Sequence, residues 1–131
     1  MLAEGAGAVP LAALVARKLP IGESDVTAMV LSGGNIDVNM VERIIARGLV
    51  ADGRLAMLAV TVPDRPGSLA RVTALVAAAG ANVLQVSHAR AFADISVRDV
   101  EIIMQLETRG TEHVRDVVRT LEEHGFGVRR N

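Results

Sequence analysis

The residues best suited to chemistry in this chain are Pro63-Asp64-Arg65-Pro66-Gly67 and the Ser68 and Leu69 that follow them. They stand between an apolar run ending at Val62 and a stretch with Leu69, Val72, Leu75, Val76 and Ala79 at three-four spacing, the pattern of a helix that buries one side. A loop entering a helix turns the N–H groups of Gly67, Ser68 and Leu69 toward an incoming anion, and glycine permits close approach. The Asp64 carboxylate can meet an ammonium group. Amides for a carboxylate, an acceptor for an ammonium group and an aliphatic wall are what a free amino acid requires. The same spacing also describes a plain strand-to-helix turn with Pro66 in the first helical turn, and the residues alone leave both readings open.

Other chemistry is poorly supplied. His88, His113 and His124 fall on different elements with no i,i+4 pair, and with no Cys to supplement them a metal site is not expected. The absence of Cys also excludes disulfides and thiolate catalysis, and agrees with a reducing cytoplasm. His88 and Arg90, at the end of a strand, suit an interface or pocket wall as well as an ordinary polar strand end. Lys18 is the only lysine among 14 basic residues. It sits beside Pro20 at the frayed end of a helix, where nothing desolvates it, and reads as a solvated surface group.

The elements that must position these residues are built without aromatics. The chain has 131 residues, 50% of them hydrophobic but only 2% aromatic. It therefore buries a core of Val, Leu, Ile and Ala and is poorly equipped to stack bases or sugars. A formal charge of -1 leaves no electrostatic footprint for nucleic acid or an anionic membrane. The longest weakly polar run, residues 72–84, falls short of the roughly 18 residues a membrane span needs. Glu4 and Pro10 disrupt any signal-peptide pattern. The expectation is a soluble cytoplasmic protein without nucleic-acid or membrane partners.

Two zones divide near residue 53. The first carries a small-residue helix ending at Leu19-Pro20, a short apolar strand over residues 26–31, Ser32-Gly33-Gly34-Asn35, and a helix capped by Asp37 or Asn39 and ended by Gly48. It is half of an α/β layer, a helix-strand-helix remnant with no partner strands. The second zone is self-sufficient. Strands over residues 55–62, 82–90 and 97–108 and a short one at 126–128 alternate with helices opened near Ser68 and at Gly110-Thr111; residues 91–96 read as a connecting loop. In the third strand Val100, Ile102, Met104 and Leu106 alternate with Asp99, Glu101, Gln105 and Glu107. The order βαββαβ is the α+β, ferredoxin-like solution: two helices on one face of a four-stranded antiparallel sheet. An RNA-binding module on that fold would need aromatic residues where this chain has Ile102, Ile103 and Met104. Ile103, with Leu58, Val60, Leu84 and Val86, leaves more apolar surface than one layer of helices covers, so a second copy or a larger enzyme is expected against the sheet.

Val60-Thr61-Val62-Pro63-Asp64-Arg65-Pro66-Gly67-Ser68-Leu69, followed by Gly80-Ala81-Asn82-Val83, resembles an ACT domain, a small regulatory amino-acid-binding module. The resemblance implies an effector site made by Asp64, Arg65, Gly67, Ser68 and Asn82. Upstream, Glu4-Gly5-Ala6-Gly7-Ala8, Val30-Leu31-Ser32-Gly33-Gly34-Asn35-Ile36-Asp37 and Ile44-Ile45-Ala46-Arg47-Gly48-Leu49 resemble the C-terminal end of the catalytic domain of threonine dehydratases (threonine ammonia-lyases). Val86-Ser87-His88-Ala89-Arg90 and Leu106-Glu107-Thr108-Arg109-Gly110 are similar to their regulatory domain. The resemblance implies that Ser32 would meet the pyridine nitrogen of pyridoxal phosphate in an intact enzyme. Gly5 departs from the family's Glu-Pro-Ala-Gly pattern, so Glu4 carries over weakly. The Schiff-base lysine and phosphate loop of that family lie upstream of the matched segment, and Lys18 fits neither role. The expectation is a remnant of a catalytic domain over residues 1–50 and an ACT domain over 54–131. No residue of this chain alone is expected to be catalytic. The ACT domain would dimerise, or form a higher oligomer, and bind a small aliphatic amino acid such as isoleucine or valine, in isoleucine biosynthesis. The alternative is a part of an active ammonia-lyase, turning threonine into 2-oxobutanoate and ammonia when joined to an upstream catalytic segment.

Overall fold

In a computed structural model, residues 3–89 and 98–130 are described. They fall into two compact units, 1–44 and 45–131. The elements are α1 (Gly5–Val15), α2 (Val38–Ala51), β1 (Leu55–Pro63), α3 (Ser68–Ala78), β2 (Asn82–Ala89), β3 (Asp99–Glu107), α4 (Thr111–Glu123) and β4 (Gly127–Arg130). The expected loop over residues 91–96, the strand start at Val97 and the strand end at Arg90 lie outside the described residues.

The second unit has the expected βαββαβ order, with a single antiparallel sheet in the order β2-β3-β1-β4. Its core is aliphatic. Leu58, Val60, Ile102, Met104 and Leu106 from the two central strands are 0% exposed, as are Val72 and Val76 of α3 and Val117 and Leu121 of α4. Phe126 closes one end at 8% exposure. Each fully buried Val, Leu or Ile contributes roughly 1.5–3 kcal/mol relative to exposure, so this one stripe-to-stripe contact dominates the stability of the unit.

Register corrects one expectation. Leu58 and Val60 do not face a second copy: they pair with Met104 and Ile102 and belong to the helix-covered core, against which Val86 also packs. The open face is made instead by Met57, 44% exposed, and by Thr61, Glu101, Ile103 and Gln105, all partly exposed. Across it Arg129 donates to Glu101 at 3.0 Å. Ala59, opposite both Ile103 and Arg129, is 1% exposed. Leu84, 51% exposed at a register shift in the outer strand β2, is a further exposed apolar residue besides Met57 and Ile103.

In the first unit Asp37 caps α2, its carboxylate accepting from the Asn39 N–H at 2.8 Å. The helix runs through Gly48 to Ala51. The strand expected over residues 26–31 does not form: the segment has neither helix nor strand, and Val26 and Val30 are 100% and 77% exposed. A strand exists only through a ladder with a neighbour, and no described residue of this unit supplies one.

Candidate functional site

The loop between β1 and α3 is built by its own hydrogen bonds. Asp64 N–H donates to Arg98 O at 2.9 Å and Arg65 N–H to Pro63 O at 2.8 Å, which ties the end of β1 to the start of β3. Gly67, not Pro66, is the N-cap of α3, with φ 91°, a left-handed conformation that an L side chain adopts only at a cost of about 1–2 kcal/mol. A Cβ there would meet nothing within 4 Å. The glycine is thus required by the turn and not by a close neighbour. Pro66 precedes the cap, which corrects its expected place in the first helical turn.

Ser68 is partly committed to this turn. Its hydroxyl donates to Pro63 O at 2.8 Å and its N–H to Arg65 O at 3.3 Å. The hydroxyl oxygen therefore remains available only as an acceptor, and the N–H groups of Leu69 and Ala70, which have no carbonyl one turn back, face outward at the helix start.

On the β3 side of the loop is a cleft of about 390 Å³, lined by Asp64, Arg65, Gly67, Ser68 and Leu69 with His88, Val100 and Ile102 as its far wall. It brings four of the five expected effector residues together around an aliphatic surface. Asn82 is elsewhere. Asn82 pairs with Glu107, Glu107 with Leu55, and Pro63 with Asp99, so Asn82 and the Asp64 loop stand at opposite ends of the sheet. Eight residues of β1 separate them, about 26 Å at the rise of an extended strand. Asn82 instead lines a cleft of about 440 Å³ with Arg54, Gly80, Glu107, Thr108 and Arg109, its Nδ2 3.4 Å from Glu107 Oε2.

His113 has a structural task. Its Nδ1 accepts from the Arg109 N–H at 3.0 Å and its Nε2 lies 2.8 Å from Ala79 O. A carbonyl only accepts, so the ring carries its proton on Nε2 and links the end of α3 to the start of α4 while 6% exposed. Among the described residues no group of three or more His, Asp and Glu is placed to hold a metal ion. No described helix is long and apolar enough to cross a membrane.

Ser32 and the glycines after it are exposed; the neighbouring Gly33 O accepts from the Glu4 N–H at 3.2 Å. Lys18 is exposed just past α1, its N–H donating to Ala13 O at 2.9 Å. These residues do not by themselves form a fit for pyridoxal phosphate, because the only lysine of the chain ends a helix in solvent.

A family model described as "ACT domain" matches residues 56–126. The chain belongs to the ACT domain family. The match begins at β1 and ends with Phe126, so all but the last strand of the βαββαβ unit falls within it. The resemblance to threonine dehydratases is also borne out. The chain is 44% identical over 128 residues to an L-threonine ammonia-lyase of Geobacter sulfurreducens, covering 98% of this chain and 32% of that protein. It is 46% identical over 129 residues to the L-threonine ammonia-lyase of Thermotoga maritima, with the same coverage of each. The chain spans about a third of the length of these curated relatives. A crystal structure of the prephenate dehydratase from Staphylococcus aureus aligns with 59% of this chain and 28% of that chain, at 22% identity and a TM-score of 0.46.

The clefts also contain residues that sequence reasoning passed over. Val100 and Ile102 read as core, and only the register places their ends at the wall of the Asp64 cleft. In the sequence Arg71 carries no signal, His124 enters only as a possible metal ligand and Phe126 only as the start of a short strand, yet they line a further cleft beside the same loop.

Proposed function

We propose that this ACT domain is the regulatory part of a threonine ammonia-lyase and binds a small aliphatic amino acid, isoleucine or valine, between two copies. Residues 54–131 are the regulatory domain and residues 1–50 the end of a pyridoxal-phosphate-dependent catalytic domain, in a cytoplasmic enzyme. The observation that carries the reading is the match to L-threonine ammonia-lyases along 98% of the chain, across both units. Asp64 holds the ligand ammonium group, the amides at the start of α3 its carboxylate, and the partly exposed Leu69 its aliphatic side chain, over the buried Val100 and Ile102. Arg65 covers the carboxylate, and the Ser68 oxygen accepts a second ammonium hydrogen.

Asn82 reaches this ligand only from a second copy. β2 is an outer strand of the sheet and its exposed edge can extend a ladder. Pairing two β2 strands antiparallel about a two-fold axis lays the Asn82 end of one copy beside the Ala89 end of the other. The Ala89 end is also the Asp64 end, through Ala89 opposite Glu101 and Glu101 opposite Thr61. Each ligand then bridges two copies, and its binding biases the arrangement of the pair by its differential affinity for two packings. In an intact enzyme Ser32 would lie at the pyridine nitrogen of the cofactor. No step of the lyase reaction is assigned to this chain alone.

The test is calorimetric titration of the 131-residue chain with a panel of free amino acids, wild type against Asp64→Ala. Saturable binding of a branched aliphatic amino acid, weakened by the substitution, is expected. If no amino acid binds, or the substitution leaves binding intact, the site is misassigned. The coverage of only a third of the relatives supports the second reading, a segment that works joined to an upstream catalytic polypeptide. Keto-acid formation from threonine and pyridoxal phosphate by this chain alone would overturn the assignment of catalysis to that polypeptide.

A further inference from the structure

The β1–α3 loop has a second cleft, on its β4 side, of about 440 Å³. It shares Pro63, Arg65, Pro66, Gly67 and Ser68 with the Asp64 cleft, but its far wall is Arg71, His124, Gly125 and Phe126. The lining holds two guanidinium groups and an imidazole, and no carboxylate. Among the described residues, neither Arg65 nor Arg71 has a carboxylate partner.

Two of these groups are held in place. The Arg71 guanidinium lies over the Phe126 ring, 5.4 Å from its centroid, and the ring is 8% exposed. A guanidinium held over a ring by a cation–π contact loses less freedom when it pairs with an anion. His124 Nδ1 lies 2.7 Å from Thr120 O. That carbonyl can only accept, so Nδ1 carries a proton and Nε2 is the ring atom left for a ligand.

We propose that this cleft binds a small phosphorylated molecule. A phosphate group presents its oxygens in a tetrahedral array with up to two negative charges, which matches two guanidinium forks better than the single planar carboxylate of an amino acid does, and a phosphate that keeps one hydroxyl can donate it to His124 Nε2. The positive end of α3, whose first turn lines the cleft through Ser68, favours the same charge. The site shares Arg65, Gly67, Ser68 and the start of α3 with the amino-acid site above, so the two ligands would compete there, while Arg71, His124 and Phe126 belong to this cleft and not to the Asp64 cleft.

The experiment is a proton–nitrogen NMR titration of the full chain at constant ionic strength with inorganic phosphate, phenyl phosphate and benzoate. Saturable shifts of the Gly67, Ser68, Gly125 and Phe126 amides are expected with phosphate or its ester, at least about fivefold tighter than with benzoate. Tighter binding of inorganic phosphate identifies the free ion as the occupant, and tighter binding of phenyl phosphate identifies an ester. Arg71→Gln and Arg65→Gln should each weaken binding about tenfold, the loss of one charge-assisted hydrogen bond. Arg119→Gln changes the net charge equally at an exposed position on α4 and should leave it unchanged. Shifts that do not saturate, benzoate bound as tightly as phosphate, or Arg119→Gln weakening binding as much as Arg71→Gln would overturn the proposal.

Discussion

A ligand shared between the Asp64 loop of one copy and Asn82 of another has a stoichiometric signature. Within one chain the two positions are about 26 Å apart along β1, far beyond what two short side chains on one small amino acid can bridge. Asp64→Ala and Asn82→Ala should each abolish tight binding of isoleucine, weakening it about ten- to hundredfold through loss of a hydrogen bond to a charged group. Neither should unfold the chain: the backbone bond from Asp64 to Arg98 survives truncation, and the Asn82–Glu107 contact is long and exposed. When the two variants are unfolded together and refolded as an equal mixture, about half of the dimers hold one copy of each. In such a dimer one site combines the intact Asp64 with the intact Asn82, while the other lacks both. Calorimetry should therefore recover about a quarter of the wild-type number of sites, at wild-type affinity. No recovery in the mixture would refute the shared site. Full binding by the Asn82→Ala variant alone would show that the ligand is held within one chain.

Two glycines with left-handed backbones should respond differently to the same substitution. Gly67→Ala meets open space and should cost about 1–2 kcal/mol in urea unfolding. At Gly53, φ 68°, a Cβ would stand 2.6–2.7 Å from Thr111 N, Cα and Oγ1, so Gly53→Ala should cost about 3 kcal/mol or more; equal losses would refute the packing at the start of α4. His113→Leu leaves the Arg109 N–H and Ala79 O without partners and should lower stability by about 1–3 kcal/mol, while hydrogen exchange at Arg109 accelerates; a protected Arg109 amide would contradict the bridge. Ile102→Ala, at a fully buried position, should cost about 2–5 kcal/mol, and a loss below about 1 kcal/mol by denaturant titration would place Ile102 outside the core.

Much of the ACT unit is legible in one dimension because its periods are those of its elements. The alternation from Asp99 to Glu107 matches a strand whose even-numbered residues are all buried, and Val114, Val117 and Leu121 mark the inner stripe of α4. Proline and glycine mark the turn at residues 63–67 because no other residues suit its backbone. In β1 the signal fails: Leu58, Ala59 and Val60 are apolar in succession, and all three are buried, Ala59 beneath neighbours from β3 and β4. The strand over residues 26–31 failed for a related reason. An apolar run states a preference for burial, but a strand requires a partner's ladder.

By itself, then, the sequence determined the fold class, the family and the Asp64 loop, since local conformation and burial periodicity are written in residue types. Tertiary structure decided which residues share a cleft. Strand register sent Asn82 to the far end of the sheet, made Val100 and Ile102 the wall of the Asp64 cleft, and laid Arg71 over Phe126, 55 positions later, beside the same loop. Distances between elements depend on how strands pair and helices pack, and no local pattern encodes them.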